Sequence, residues 1–143
     1  MEYKNNLPDR LLQFAVDVIL YLRTVKSTSE TMDMKRQLVN ASTSSGANYE
    51  EAQGAVTKPD EKTKISISLK EIREAGFFLR VFLRLHAGDV KKCEKLVAES
   101  VELKKILGSI LNKFLSILLP LGLVTWGLRL VTCVFPRTRS STG

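Results

Sequence analysis

The sequence predicts an all-α protein, folded as an antiparallel, up-down-up-down four-helix bundle. Apolar residues recur with helical period in four successive segments, and short polar or glycine-containing links separate these segments. Strand-type alternation is scarce, and 8 glycines and 4 prolines are too few for a loop-rich fold. The 143 residues provide room for one domain.

The first two helices are marked by their starting residues. Pro8 suits the first turn of a helix that is predicted to extend to about Lys26. A second helix follows, and Ser27 and Glu30 have the spacing of a capping box at its start. Its apolar seam is made mostly of small residues, so another helix can approach closely. The seam consists of Met34, Leu38, Ala41, Ser45, Asn48 and Ala52.

The third helix, predicted from Pro59 to about His86, carries apolar residues on two nearly opposite sides. One side can serve the bundle core. The other needs a cover, either a neighbouring helix of the same chain or a second copy of the protein. We favour the second copy, which makes this stripe an oligomer interface. The predicted interface residues are Ile67, Ala75, Phe78, Phe82 and Leu85.

The fourth helix follows a stop-and-start signal, with Gly88 as the C′ residue of the third helix and Asp89 as the next N-cap. The helix is predicted from Val90 to about Leu119, because Pro120 should end or kink it. The chain therefore divides into a four-helix bundle domain, residues 7–119, and a C-terminal extension, residues 120–143.

The C-terminal extension begins hydrophobic and ends basic. The run from Phe114 to Leu128 is uncharged, but it reaches membrane-spanning length only by including Lys113 or Arg129 and a central Pro120. We therefore disfavour membrane insertion. The alternatives are a hydrophobic, unstructured appendage to the bundle and a stretch of non-native sequence.

The charge balance is basic, with 22 Lys and Arg against 15 Asp and Glu, a net charge of +7. Such a balance favours acidic partners, such as nucleic acid or an anionic membrane surface. A basic stripe occupies one side of the third helix and continues into the start of the fourth. No aromatic residue is predicted to interleave with it, so we expect contacts to backbone phosphates without base stacking. Solvated surface charge is the alternative, and it is the more common explanation of such a stripe. The candidate nucleic-acid-binding residues are Lys62, Arg73, Arg80, Arg84, Lys91, Lys92 and Lys95.

Catalytic and metal-binding patterns are missing from the sequence. His86 is the only histidine, no Glu-x-x-His pair exists for a di-iron site, and Cys93 and Cys133 are 40 positions apart. No nucleophile elbow or phosphate-binding glycine loop occurs. We predict a non-enzyme without metal or cofactor. The cysteine usage and the polar N-terminus favour a cytoplasmic location.

A polar strip runs along the second helix, where Gln37, Ser44 and Glu51 are seven positions apart and Asn48 lies beside them. Half-buried polar groups need partners, for which Lys70, Arg73 and backbone groups are candidates. The strip is interpreted either as a network that fixes helix register or as a ligand-binding cluster, and we favour the first.

Two motifs carry a family resemblance. Residues 37–52 resemble the pattern Q-x-x-R-A-x-x-S-I-x-x-N-I-x-E-G, and Ile67–Ala75 resembles I-A-L-K-E-A-x-E-T. Both patterns are typical of the bacterial four-helix bundle family, also called 23S rRNA intervening-sequence proteins, which the chain resembles from about residue 7 to 118. Val39 and Asn40 stand where the family often has arginine, which weakens a nucleic-acid role there. The polar residues that match the motifs are Gln37, Ser44, Asn48, Glu51, Lys70, Glu71 and Glu74.

The resemblance implies an antiparallel bundle that assembles as a ring-shaped homopentamer. Some family members are encoded within intervening sequences of 23S rRNA genes, and a related branch is the accessory protein of diversity-generating retroelements. We expect a non-catalytic, oligomeric bundle that binds RNA or a ribonucleoprotein through pooled basic residues. The alternatives are a protein-interaction scaffold and an accessory protein that partners a reverse transcriptase and nucleic acid; a membrane-anchored bundle is the least favoured non-enzyme reading.

Overall fold

A computed structural model describes residues 6–118. Within this range the chain forms four α-helices and no strand: α1 (Leu7–Leu22), α2 (Ser29–Gln53), α3 (Lys58–Arg84) and α4 (Val90–Leu118). Each helix packs against two neighbours, in the cyclic order α1, α2, α3, α4, as the predicted four-helix bundle requires. None of the helices in this range is long and apolar enough to cross a membrane. The extension at 120–143 lies outside the described residues. Its interpretations as a membrane segment, an appendage to the bundle or non-native sequence therefore stay predictions.

The core is built from the apolar stripes that helical periodicity predicts. Tyr21 of α1 and Phe82 of α3 meet edge to face across it, with ring centroids 6.3 Å apart. Full burial of one large apolar side chain contributes about 1.5–3 kcal/mol, so these stripes supply most of the drive for folding. The largest fully buried side chains are Tyr21, Phe14, Phe82, Leu11, Leu38, Ile65, Ile72, Leu79, Leu103, Leu107, Val18 and Cys93.

The N-terminus of α2 has a capping box, but one residue later than predicted. Thr28 is the N-cap: its hydroxyl accepts from the Thr31 N–H at 3.3 Å, and the Thr31 hydroxyl accepts from the Thr28 N–H at 2.8 Å. The prediction of Ser27 and Glu30 is therefore wrong. Several neighbouring hydroxyl residues offer the same capping chemistry, and a threonine replaces the usual glutamate at the third helical position.

The link between α3 and α4 also differs from the prediction. Leu85 caps α3, the His86 N–H donates to the Leu83 carbonyl, and the Ala87 N–H donates to the Phe82 carbonyl, both at 3.1 Å. This is a Schellman motif in which His86, with φ 51°, is the C′ residue.

Gly88 is needed in this link for another reason. Its φ is 67°, and a Cβ there would lie 2.6 Å from the Thr24 hydroxyl of the neighbouring α1–α2 link. Asp89 is the N-cap of α4 as predicted, since its carboxylate accepts from the Lys92 N–H at 3.1 Å.

The two apolar sides of α3 are covered by α2 and α4 of the same chain. Ala75 and Phe82 have no accessible surface. The prediction that these two residues form an oligomer interface is therefore wrong, because a neighbouring helix provides the cover that a second copy was expected to provide. Ile67 and Phe78 are half-buried, and Leu85, at the end of α3, is 59% exposed.

Candidate nucleic-acid interface

The outward face of α3 carries the predicted basic stripe. Arg73, Arg80 and Arg84 are exposed, and their spacing of seven and four places them on one side of the helix. Lys70 is exposed beside them, and Lys62, nearer the N-terminal end of α3, is half-buried. We call these five residues the α3 basic face.

The cations of the α3 basic face are not neutralised by carboxylates of the described residues. None of the five forms an ion pair with a residue in the range 6–118. Arg80 donates from Nε to the Gly76 carbonyl at 3.1 Å, which holds its side chain along the helix and leaves its terminal nitrogens free of carboxylates. Some cations on other surfaces of the described range are paired, as Arg10 is with Glu99 at 2.8 Å. The stripe is thus a free source of positive charge.

The predicted continuation of the stripe into α4 is only partly supported. Lys91, Lys92 and Lys95 are exposed. Lys92 and Lys95, however, border a groove of about 530 Å³ between α1 and α4, and Lys92 lies 3.7 Å from the Asp89 carboxylate. These two lysines therefore lie on the α1 side of α4, separate from the outward face of α3.

An aromatic residue lies within the α3 basic face. Phe77 is 54% exposed and follows Arg73 by four positions and precedes Arg80 by three, so it shares their side of the helix. The prediction that no aromatic residue interleaves with the stripe is therefore wrong. The pair Phe77 and Phe78 held the signal: adjacent residues differ by about 100° around a helix, so both cannot face the core.

The polar strip of α2 does not form the predicted network. Glu51 pairs with Lys64 of α3, and not with Lys70 or Arg73, while the Asn48 amide donates to the Ser44 carbonyl of its own helix at 2.9 Å. The hydrogen bond that the Lys64 ammonium donates to the Glu51 carboxylate raises the pKa of Lys64. Gln37 is exposed, and the motif residues Glu71 and Glu74 are half-buried.

The buried polar contact between α2 and α3 is made by other residues, Ser45 and Ser68, whose hydroxyl oxygens lie 3.1 Å apart. Sequence reasoning placed Ser45 in the close-packing seam but did not single out Ser68. The signal was available in the small residues of that seam, because helices in close approach bring short polar side chains within bonding distance.

Cys93 and His86 are the two side chains considered for nucleophilic or metal chemistry. Cys93 is buried, and its thiol donates to the Leu79 carbonyl at 3.3 Å. Burial raises the pKa of Cys93, so the thiol stays neutral and is a poor nucleophile. His86 is exposed at the end of α3. Across residues 6–118 no three His, Cys, Asp or Glu side chains are grouped so that they could hold a metal ion.

A second surface feature lies on α1. Leu12, Val16 and Leu20 recur every four residues and are 65%, 40% and 44% exposed, and Ile19 adds a further 37% exposed side chain. We call these four residues the α1 apolar face. Soluble monomers seldom expose a continuous apolar strip of this kind, and such strips are typical of protein contacts.

Comparisons with known proteins agree on the family of the chain. The family model described as 23S rRNA-intervening sequence protein matches residues 5–109. A solved structure from Bacteroides thetaiotaomicron, described as a protein of unknown function from the S23 ribosomal protein family, is 29% identical with a TM-score of 0.68. The alignment covers 74% of this chain and 98% of that one. Comparison with curated protein sequences gives no match.

Proposed function

The chain belongs to the 23S rRNA-intervening sequence protein family, and from this premise we propose that it is a non-catalytic, cytoplasmic bundle protein that binds RNA through the α3 basic face. The observation that carries the proposal is that Arg73, Arg80 and Arg84 are exposed on one side of a helix and have no carboxylate partner among residues 6–118. Arginine presents several donors in a fixed plane, which suits phosphate oxygens.

The strength of such binding depends on salt. Each phosphate that a cation contacts releases condensed counterions, so the logarithm of the binding constant falls with the logarithm of the salt concentration by about 0.7 per contact on a single strand. Removal of three contacting arginines should therefore lower the slope by about 2.

The test is a fluorescence-anisotropy titration of labelled RNA between about 50 and 200 mM salt. The test variant carries Arg73→Gln, Arg80→Gln and Arg84→Gln. A control variant carries Lys26→Gln, Arg36→Gln and Lys105→Gln, which removes the same charge from exposed positions on other surfaces. We expect a weaker affinity and a flatter salt dependence for the test variant alone. If both variants lost RNA affinity equally, net charge alone would explain the effect, and a binding site on α3 would be refuted.

The α1 apolar face favours a second function, that of a protein-interaction scaffold. Covering the four exposed apolar side chains of this helix with a protein surface is favourable by about 25 cal/mol for each Å² that is removed from water. We assign the contact between copies of this chain to α1, and a reverse-transcriptase partner would be expected to use the same face. RNA binding on α3 and protein contact on α1 are compatible, because they use different helices.

A further inference from the structure

The α3 basic face combines two features that are each typical of single-strand recognition. Arg73, Arg80 and Arg84 follow one side of the helix over a stretch of twelve residues, and the first and last are about 16 Å apart along the helix axis. Phe77 lies among them, more than half exposed. Proteins that bind single-stranded nucleic acid join a basic track for the backbone with aromatic rings on which bases stack.

The packing around Phe77 positions its ring without covering it. Its only aromatic neighbour in the described range is Phe78, with centroids 5.6 Å apart and ring planes at 72°. Phe78 is half-buried against the core cluster and so provides a fixed edge-to-face support. The Phe77 ring is therefore held at the surface while 54% of the residue faces solvent.

The cations near Phe77 outnumber its one acidic helical neighbour, Glu74, and favour an anionic ligand. Lys70, Arg73 and Arg80 lie within one turn or two of it, and none is paired with a carboxylate among the described residues. An apolar protein surface over the ring would bury these cations without partners, and a second copy of the same face would repel them. A polyanion with flat apolar rings fits both features.

We propose that the α3 basic face binds single-stranded RNA with one base stacked on Phe77 and the adjacent phosphates on Arg73, Arg80 and Arg84. The proposal rests on the proposed RNA-binding function and adds the class of RNA. In a duplex the bases stack on each other inside the helix and cannot reach Phe77, so the ring contributes only to the binding of unpaired nucleotides.

The test compares the full chain with the variants Phe77→Ala, Phe77→Leu and Phe77→Trp on two probes, a labelled oligouridylate and an RNA duplex of equal length. Met32→Ala, which removes an exposed apolar side chain on α2, outside both proposed contact faces, is the matched control. Phe77→Leu keeps an apolar side chain but loses the aromatic ring, so it separates stacking from packing. Thermal unfolding and light scattering on every variant record stability and mass.

We expect Phe77→Ala and Phe77→Leu to bind the single strand about 5- to 150-fold more weakly, as the loss of one stacked base implies. Duplex affinity and the salt slope on the single strand should stay at the wild-type level, and Phe77→Trp should restore binding. Met32→Ala should bind both probes with wild-type affinity.

Three results would overturn the proposal. Wild-type single-strand affinity in both Phe77→Ala and Phe77→Leu would exclude stacking while leaving RNA binding by the arginines intact. Equal losses on strand and duplex, or a change of mass in the Phe77 variants, would assign Phe77 to folding or self-association. A wild-type protein that binds neither probe at low salt would refute the proposed function itself, and the stacking site with it.

Discussion

Ser45 and Ser68 join α2 to α3 through a reciprocal set of hydrogen bonds. The Ser68 hydroxyl donates to the Ser45 carbonyl at 2.9 Å, the Ser45 hydroxyl reaches the Ser68 carbonyl at 3.2 Å, and the two hydroxyl oxygens are 3.1 Å apart. Both residues are fully buried. Because each side chain bonds to the backbone of the opposite helix, the pair fixes one register of α2 against α3.

This relationship predicts energetic coupling between the two serines. Ser45→Ala or Ser68→Ala alone should lower the free energy of unfolding by about 1 kcal/mol, since one hydroxyl still finds a carbonyl on the other helix. The double variant should depart from additivity by about 0.5 kcal/mol or more. Urea unfolding of the four proteins measures the cycle, with Thr43→Ala, whose hydroxyl bonds within α2, as the control. Strict additivity would contradict the reciprocal geometry.

The contact between α3 and α4 depends on a glycine. A Cβ on Gly76 would lie 2.9 Å from the Ser100 hydroxyl, which donates to the Val97 carbonyl at 2.7 Å. Gly76→Ala should therefore destabilise the protein by about 1–3 kcal/mol through overpacking. Calorimetry should show most of this loss recovered in the Ser100→Ala background.

Gly108 on α4 provides the matched control for this substitution. A Cβ there would meet no atom within 4 Å, so Gly108→Ala should raise the free energy of unfolding by about 0.5–1 kcal/mol. If both alanine variants were equally stabilised, the close approach at Gly76 would be disproved.

The parts of this fold that the sequence predicts correctly are those that helical periodicity and local capping determine. The number of helices, their order and the N-cap at Asp89 follow from spacing and capping chemistry that act locally. The identity of the element that covers each side of α3 cannot be predicted in this way. A helical pattern shows which sides are apolar, but it does not show which helix or second copy packs against them. Ala75 and Phe82 were assigned to the wrong cover for this reason.

The candidate site was predictable in part. The arginines of the α3 basic face follow from charge and spacing, but Phe77 did not, since two adjacent apolar residues differ only in which one the tertiary packing buries. Lys92 and Lys95 were grouped with the stripe through a loop whose geometry the sequence does not encode. The partner of Glu51 was missed because long side chains reach several cations.

Alkaline pH should weaken the fold. Burial raises the pKa of Tyr21, Tyr49 and Cys93. The unfolded chain releases these protons near pH 8.5 for the thiol and 10 for the phenols, while the native protein still holds them. Stability is therefore full below these values and falls as pH rises, by about 1.4 kcal/mol per pH unit for each group that differs.

Urea unfolding between pH 8 and 11 measures this effect. Tyr21→Phe should be less stable at pH 8, because it loses the hydrogen bond to the Ala87 carbonyl, and should decline less steeply above pH 10. Wild-type stability that stays constant up to pH 11 would show that the native phenols and thiol are not protected.

Self-association should depend on α1 and not on the end of α3. Leu12→Glu combined with Val16→Glu places charge in the centre of the α1 apolar face and should reduce the mass in solution to that of the 16.0 kDa chain. Multi-angle light scattering measures the mass, and Leu85→Glu, an exposed position at the end of α3, should leave the assembly unchanged. If Leu85→Glu alone dissociated the assembly, the contact between copies would have to be assigned to α3 and not to α1.

The most direct test of RNA binding by the α3 basic face is to map where RNA touches the protein. Single-stranded RNA that carries 4-thiouridine is cross-linked by light to the full chain, and the modified peptides are identified by mass spectrometry. We expect cross-links on α3 between Arg73 and Arg84, with Phe77 as a principal site. Cross-links confined to the groove beside Lys92 and Lys95, with α3 unmodified, would contradict this expectation.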